Sequence, residues 1–146
     1  MERPKHAKYF EGVLQLRNPT PEIMGFFRSQ MNKKPEVFIS NVERLKNGMD
    51  ISLSSKKYLQ QIGKKLQETF GGELKISAEH FSRSRQTSKD MFRVNVMYRY
   101  HGVRKGDVIT VRGDEVKIIQ ISRKLHVINI STGRKYFLDF DELPVN

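Results

Sequence analysis

The sequence predicts an α+β protein in two parts, a two-helix, mixed-sheet sandwich followed by a small SH3-like or OB-like β-barrel. One observation behind this is a pair of amphipathic helical stripes set among segments in which apolar and polar residues alternate. A second is the change of pattern after residue 98, where short β-branched runs punctuated by glycine replace the helical period. We therefore expect two domains, residues 1–98 and residues 99–146, joined near residues 101–106.

The first predicted strand lies within residues 8–18, where apolar residues recur at every second position. A helix follows, because Thr20 suits the N-cap and Pro21 tolerates the first helical position, where its missing N–H is not needed. The residue before a proline avoids the helical region, so Pro35 ends this helix by about residue 34. Its apolar stripe consists of Ile23, Phe26, Phe27 and Met31.

A β-hairpin is predicted next, from residues 37–45 and 49–54. The pair Asn47-Gly48 lies between these segments, and an Asn-Gly pair supplies the positive φ that a tight hairpin turn requires. Residues 49–54 alternate apolar and polar side chains, so one face of the sheet is expected to be covered and the other wet.

The second helix is predicted from Ser54 or Ser55, as cap, to about Phe70, where two glycines end it. Two further strands, near residues 73–80 and 91–98, complete the order β-α-β-β-α-β-β. Two helices on one face of a mixed sheet would bury all of these stripes together. The buried stripe of the second helix consists of Tyr58, Leu59, Ile62, Leu66 and Phe70.

The predicted barrel has short strands that follow one another closely. Strands this short, with turn glycines between them and no helical period, are typical of small barrels. The strands are expected at residues 107–112, 115–122, 125–130 and 135–140.

Charge is the strongest functional signal in the composition. The chain has 27 Lys and Arg against 16 Asp and Glu, a net charge of +11. An excess of this size attracts polyanions and is the electrostatic footprint of a nucleic-acid-binding protein. A merely soluble basic surface is the plain alternative. Binding to an anionic membrane surface would need a basic helix whose apolar face is not buried in a core. Here the apolar faces are expected to be buried in the predicted cores.

Several chemistries lack the residues they need. The chain has no cysteine, which excludes disulfides, cysteine zinc sites and thiol nucleophiles. Its four histidines are scattered, and neither a phosphate-binding glycine loop nor a nucleophile elbow occurs. No apolar run approaches the roughly 20 residues of a membrane span. We expect a cytoplasmic protein that is not an enzyme, with no metal, no cofactor, no small-molecule substrate and no membrane partner.

The first cluster of candidate RNA-binding residues lies on the second predicted helix. Lysine near a helix N-terminus opposes the helix dipole, and a bound phosphate would relieve that conflict. A solvated helix face is the alternative interpretation. The cluster consists of Lys56, Lys57, Lys64 and Lys65.

The second cluster lies in a predicted loop, residues 81–90, where Arg83, Arg85 and Lys89 are interspersed with hydroxyl side chains. Arginine forks and neutral hydroxyl donors are what a loop that follows a phosphate backbone offers. An ordinary flexible hairpin loop is equally compatible with this composition.

The third cluster consists of basic pairs at the predicted turns of the barrel. Pairs that recur at turns would gather at one or both ends of the barrel and favour contact with the RNA backbone over reading of bases. Tyr98, Tyr100 and Tyr136 are candidates for stacking on unpaired bases, with core packing as the alternative. The pairs are Arg104-Lys105, Arg123-Lys124 and Arg134-Lys135.

Four sequence blocks resemble the family named for nonsense-mediated decay protein three. They are KYFEGVLQLRN (8–18), GMDISLSSKKYLQQIGKKLQETFGGELKIS (48–77), RVNVMYR (93–99) and GDVITV (106–111). The resemblance implies an adaptor of the large ribosomal subunit that binds in the tRNA channel near the exit site. It also implies a first domain like the eukaryotic-type ribosomal protein twenty-two and an SH3-like domain like that of elongation factor five-A.

The sequence departs from this resemblance in two respects. Members of that family begin with a zinc-binding domain built from Cys-X-X-Cys pairs, which this sequence lacks. We therefore expect an excised central piece, with a divergent member as the alternative, and no zinc is carried over. The glycine- and histidine-rich loop that holds the modified lysine of elongation factor five-A also has no counterpart, so Lys124 and Lys135 are expected to contact phosphate as ordinary lysines.

The favoured hypothesis is a non-enzymatic RNA-binding fragment of a large-subunit adaptor. It would contact large-subunit ribosomal RNA and the exit-site region during subunit biogenesis or export, with the large subunit and its proteins as partners. The alternative is a protein-interaction scaffold that docks ribosomal proteins or assembly factors through an exposed strand edge of the barrel. A factor that prefers duplex DNA is a third possibility.

Overall fold

The structure is a computed structural model that describes residues 9–83 and 90–144. In this part of the chain the predicted order β-α-β-β-α-β-β is confirmed, and four further strands and a short 3-10 helix follow it. The elements are β1 (Gly12–Arg17), α1 (Pro21–Asn32), β2 (Ile39–Leu45), β3 (Gly48–Leu53), α2 (Lys56–Phe70), β4 (Glu73–Arg83), β5 (Asp90–Arg99), β6 (Val108–Val111), β7 (Asp114–Ile121), β8 (Leu125–Asn129), β9 (Lys135–Leu138) and the 3-10 helix (Phe140–Glu142).

The first sheet has five strands in the order β2-β3-β1-β5-β4. β1 and β5 are parallel and the other neighbours are antiparallel, so the predicted mixed sheet is confirmed. Both helices contribute to a single core with the inward residues of β1, β3 and β5. That core includes Leu14, Leu16, Ile23, Phe27, Ile51, Leu53, Tyr58, Leu59, Ile62, Leu66, Phe70, Val96 and Tyr98.

Both helices begin at the predicted caps. The Thr20 hydroxyl accepts a hydrogen bond from the backbone N–H of Ile23 at 3.1 Å. Of the two serines considered for α2, Ser55 is the cap, and its hydroxyl accepts from the N–H of Tyr58 at 3.2 Å. Each cap satisfies an N–H that has no partner inside the helix.

The β2–β3 hairpin is confirmed, but its turn differs from the expected one. Lys46 and Asn47 form the turn, and the positive φ belongs to Gly48 alone, at 156°. A Cβ atom at Gly48 would lie 1.8 Å from the carbonyl oxygen of Leu16 on the neighbouring strand β1. Glycine is therefore required here by the close approach of β1.

The second sheet is an open antiparallel meander in the order β6-β7-β8-β9, and the predicted closed barrel is not confirmed. In the residues that the structure describes, β9 does not pair with β6. Four strands of four to eight residues are too few to curve into a closed cylinder. Phe140 and Leu143, from the segment after β9, instead pack with the inward residues of the sheet.

The two sheets meet beside the C-terminus of α2. The side-chain amide of Gln67 donates to the backbone oxygen of Ser122, in the turn between β7 and β8, at 3.1 Å. The ring of His101 lies 3.0 Å from a carboxylate oxygen of Glu73 and stacks on Phe140 with centroids 5.0 Å apart. The division of the chain at residue 98 into two independent domains remains a prediction.

A candidate nucleic-acid interface

All four predicted lysines of α2 are exposed, on faces of the helix away from its buried stripe. Lys57 and Lys64 are seven residues apart, about two helical turns, and therefore point in nearly the same direction. Lys65 turns toward α1, where its ammonium donates to the side-chain oxygen of Gln30 at 3.2 Å. The outer face of α2 thus presents Lys57 and Lys64 to solvent.

The N-terminus of α2 has a partner that sequence reasoning missed. A carboxylate oxygen of Glu11 accepts a hydrogen bond from the backbone N–H of Lys56 at 2.9 Å. A carboxylate at this position offsets the positive end of the helix dipole. Glu11 therefore already offsets part of the conflict between the lysines and the helix dipole, and contact of Lys56 and Lys57 with phosphate remains a prediction. Glu11 lies 45 residues before Lys56, and no local pattern connects them.

The second predicted cluster falls largely outside the described residues. β4 continues to Arg83 and β5 begins at Asp90, so strands occupy both ends of what was expected to be a loop. Arg85 and Lys89 lie outside the described residues. A role for Arg83, Arg85 and Lys89 in binding RNA remains a prediction.

The three basic pairs of the second module divide between the two ends of its sheet. Arg104-Lys105 lies just before β6. The N–H of the next residue, Gly106, donates to the carbonyl oxygen of Ile118, so this pair lies near the end of β7. Arg123-Lys124 lies in the turn that follows β7, so these two pairs share one end. The third pair, Arg134-Lys135, begins β9 and lies at the other end.

Two members of these pairs have partners within the protein. The guanidinium carbon of Arg104 lies 5.6 Å from the centroid of the Phe70 ring, and its terminal nitrogen lies 3.8 Å from Glu22. The ammonium of Lys124 lies 3.5 Å from Asp139. All of these ionic groups are well exposed, so each ion pair contributes at most about 1 kcal/mol and can be exchanged for another anion.

An open groove of about 870 Å³ brings the first and third clusters together. It is lined by α2, by β4 with residues of β1 and β5 beside it, and by the turn between β7 and β8, and it contains Lys64, Lys75 and Arg123. We call it the basic groove. A second cavity of about 380 Å³ shares Gln67 with it and is lined by Arg104 and Lys105 on the other side of the α2 C-terminus.

The acidic residue in the described lining of the basic groove is Glu73, whose side chain is only 10% exposed. Its two carboxylate oxygens lie 3.0 Å from His101 and 3.3 Å from the ammonium of Lys75. Burial raises the pKa of Glu73, but hydrogen bonds from His101 and Lys75 outweigh it, and the net pKa is lowered. Its charge is therefore offset locally, and Lys64 and Arg123 leave the groove positive.

Lys75 was missed by sequence reasoning although a signal was present. In β4, Leu74 and Ile76 are the cross-strand partners of the core residues Tyr98 and Val96, so alternation places Lys75 and Ser77 on the opposite face of the sheet, although Ile76 at this edge is itself 42% exposed. Lys75 is 73% exposed and lines the groove beside residues that were predicted.

Of the three tyrosines considered for base stacking, Tyr98 is a packing residue. Tyr98 is completely buried, and its hydroxyl donates to the carbonyl oxygen of Gly71 at 2.7 Å. Tyr100 and Tyr136 are partly buried against the first and second cores, respectively. The stacking prediction is wrong for Tyr98, since no face of its ring reaches solvent.

Within residues 9–83 and 90–144, no group of three or more His, Cys, Asp or Glu side chains is placed to hold a metal ion. Nor does any helix described here combine the length and apolar character needed to cross a membrane.

A basic α+β chain with a cationic groove between its two sheets has the charge distribution of a polyanion-binding protein. Residues 9–99 match the family described as NMD3, second domain, which accounts for more than half of the chain. The chain therefore belongs to the NMD3 family, a family of large-ribosomal-subunit adaptors, as the sequence blocks predicted. No curated protein matches the chain.

Proposed function

We propose that this chain is a non-catalytic RNA-binding part of a large-subunit adaptor. It contacts ribosomal RNA near the tRNA exit site through the basic groove, during subunit biogenesis or export, and acts in the cytoplasm. The observation that carries the proposal is the convergence of Lys64, Lys75 and Arg123, from three different elements, on one open groove. Membership of the NMD3 family supplies the large subunit as the partner.

The shape of the groove supports contact with an RNA backbone. Cations gathered between low-dielectric walls focus the electric field and raise the local concentration of an anionic partner. The overall charge of +11 adds attraction over a Debye length of about 10 Å at 0.1 M salt. Long, exposed lysine and arginine side chains contact phosphates without selecting bases, so recognition would follow RNA shape more than sequence.

Binding of labelled large-subunit RNA fragments at stepped salt concentrations tests this proposal. Each phosphate that a lysine or arginine neutralises releases counterions, so affinity should fall linearly on logarithmic axes as salt rises. Duplex DNA of equal length serves as competitor and should displace the RNA poorly. A flat salt response, absence of binding at low salt, or preference for duplex DNA would contradict the proposal.

A second candidate function, a scaffold for protein partners, is favoured by one observation. Strand β2 is an edge of the first sheet and exposes Ile39, Val42 and Leu45 by 41%, 44% and 38%. An exposed edge can pair with a strand of another protein. Val42→Lys would then reduce binding to intact large subunits while leaving affinity for naked RNA unchanged. Equal binding of Val42→Lys and the unsubstituted chain to large subunits would remove this candidate function.

A further inference from the structure

The outer face of the second sheet carries an accessible aromatic pair. Phe137 on β9 is 61% exposed. Its ring stacks on that of His126 on β8, with centroids 4.6 Å apart and planes inclined by 21°. The two residues are direct cross-strand partners. The pair therefore forms a flat surface, built on two strands, with one ring largely open to solvent.

The alternation of buried and exposed residues along β8 and β9 determines on which face of the sheet the two rings lie. On β9, Tyr136 and Leu138 contribute to the second core, so Phe137 between them must point to the opposite face. On β8, buried Leu125 and Val127 place His126 on that same outer face. A stacked pair held by the backbone of two paired strands is preorganised, so a ligand that stacks on it loses little affinity to ordering the protein.

Basic residues flank the pair on this face. Lys135 lies two residues before Phe137, about 7 Å along the strand. Lys135 is the cross-strand partner of Ile128, and Ile128 is the partner of Lys117 on β7. Both lysines are exposed.

Two acids lie near the same region. Asp139, two residues after Phe137, has the ammonium of Lys124 at 3.5 Å. Glu115 lies on the same strand as Lys117, but His126 is opposite Gln120 on β7, so Glu115 is two residues farther along the strand from the ring pair than Lys117 is. The near border of the ring pair therefore keeps a net positive charge, because Asp139 is already paired with Lys124.

We propose that Phe137 and His126 form a stacking platform for one unpaired RNA base, with Lys135 and Lys117 contacting the adjacent phosphates. An accessible ring offers its face to any base, and lysines at the border suit the backbone that carries the base. A protein partner would also use the apolar ring, but the cationic border favours a nucleotide. The inference rests on the proposed RNA binding and deepens it, because it requires a single-stranded segment in the bound RNA.

The chain contains no tryptophan, so one introduced residue reports on the platform directly. Phe137→Trp places the fluorophore on the platform. Val42→Trp is the control, since Val42 is 44% exposed on β2, the edge strand of the first sheet that lies opposite β4 and outside the three basic clusters. Single-stranded oligonucleotides should quench the fluorescence of Trp at position 137 and leave Trp at position 42 nearly unchanged. Equal quenching at both positions, or quenching at neither, would overturn the proposal.

Affinity measured by anisotropy of labelled RNA supplies the second readout. Phe137→Ala should weaken binding of a single-stranded RNA roughly 5- to 150-fold, the range for loss of one aromatic–base stack, and should leave duplex RNA binding unchanged. Phe137→Tyr should retain the affinity, whereas Phe137→Leu should not. Salt-dependent RNA binding that is the same in all four proteins would overturn the platform and leave the proposed function standing. Absence of RNA binding by the unsubstituted chain would contradict both.

Discussion

Neutralising the three cations of the basic groove, with Lys64→Gln, Lys75→Gln and Arg123→Gln combined, should weaken RNA binding and reduce its dependence on salt. The three side chains come from α2, β4 and the turn between β7 and β8, and they line one groove. Lys64 and Arg123 are exposed, and Lys75 pairs with Glu73 through a side chain that is itself 73% exposed. We therefore expect the fold to lose no more than about 1 kcal/mol of stability.

The size of the effect follows from counterion release. Each phosphate contact contributes about 0.7 to 0.9 to the slope of log affinity against log salt concentration. Three lost contacts should therefore reduce the magnitude of that slope by roughly 2 to 3. Between the variant and the unsubstituted chain, the ratio of affinities should shrink as salt rises, because the lost interactions are ionic.

The assay is titration of labelled large-subunit RNA at five or more salt concentrations. A second triple variant, Lys33→Gln, Arg44→Gln and Lys46→Gln, loses the same charge from α1's C-cap and from the β2–β3 hairpin, at the opposite edge of the sheet from β4. That variant should keep most of the slope. Equal slope changes in the two variants would show that net charge, and not the groove, governs binding, and would refute the reasoning.

Two further predictions concern the scaffold of the groove. Gly63→Ala should destabilise the fold by up to about 2 kcal/mol, because the new Cβ would lie 2.6 Å from Val96. Gly25→Ala, with no atom within 4 Å of its Cβ, should instead stabilise the fold by about 0.5–1 kcal/mol. Urea unfolding measures both changes in stability, and changes of the same sign would contradict the packing argument. Glu73→Gln should cost about 1–3 kcal/mol at neutral pH, because Gln cannot supply the charge that His101 and Lys75 contact. Since the pKa of Glu73 is lowered in the fold, the difference should be largest above about pH 5 and should diminish as pH falls through that lowered pKa; a difference that does not change with pH would contradict the assignment.

Local rules were enough to predict the first module. The caps at Thr20 and Ser55 and the apolar stripes of both helices are properties of short stretches of sequence, and each was confirmed. Sheet order depends on long-range pairing: β1 lies between β3 and β5, which no local pattern specifies. The same limit explains the barrel. Strand positions in the second module were close to those predicted, but closure depends on a pairing between distant strands that the described residues do not form.

The charged residues of the candidate site could be predicted from the sequence, but their arrangement in one groove could not. Lys64 and Arg123 could be named from composition and position, but 59 residues separate them, and only the packing of the second sheet against α2 puts both in one groove. The contact between Glu11 and the N-terminus of α2 could not be predicted for the same reason, since Glu11 and Lys56 are 45 residues apart in the sequence. Phe137 is a different case: alternation along β9 places it outward, but only the tyrosines Tyr98, Tyr100 and Tyr136 were considered for base stacking.

Photo-crosslinking on intact large subunits tests the central claim most directly. A benzophenone side chain at Ser77, which is exposed in the basic groove, should crosslink to large-subunit RNA, with sites mapped near the tRNA exit site. The same group at Asn47, exposed in the turn of the β2–β3 hairpin, should give little RNA crosslinking. Crosslinks from Ser77 to ribosomal proteins alone, or equal RNA crosslinking from both positions, would contradict an RNA contact through this groove.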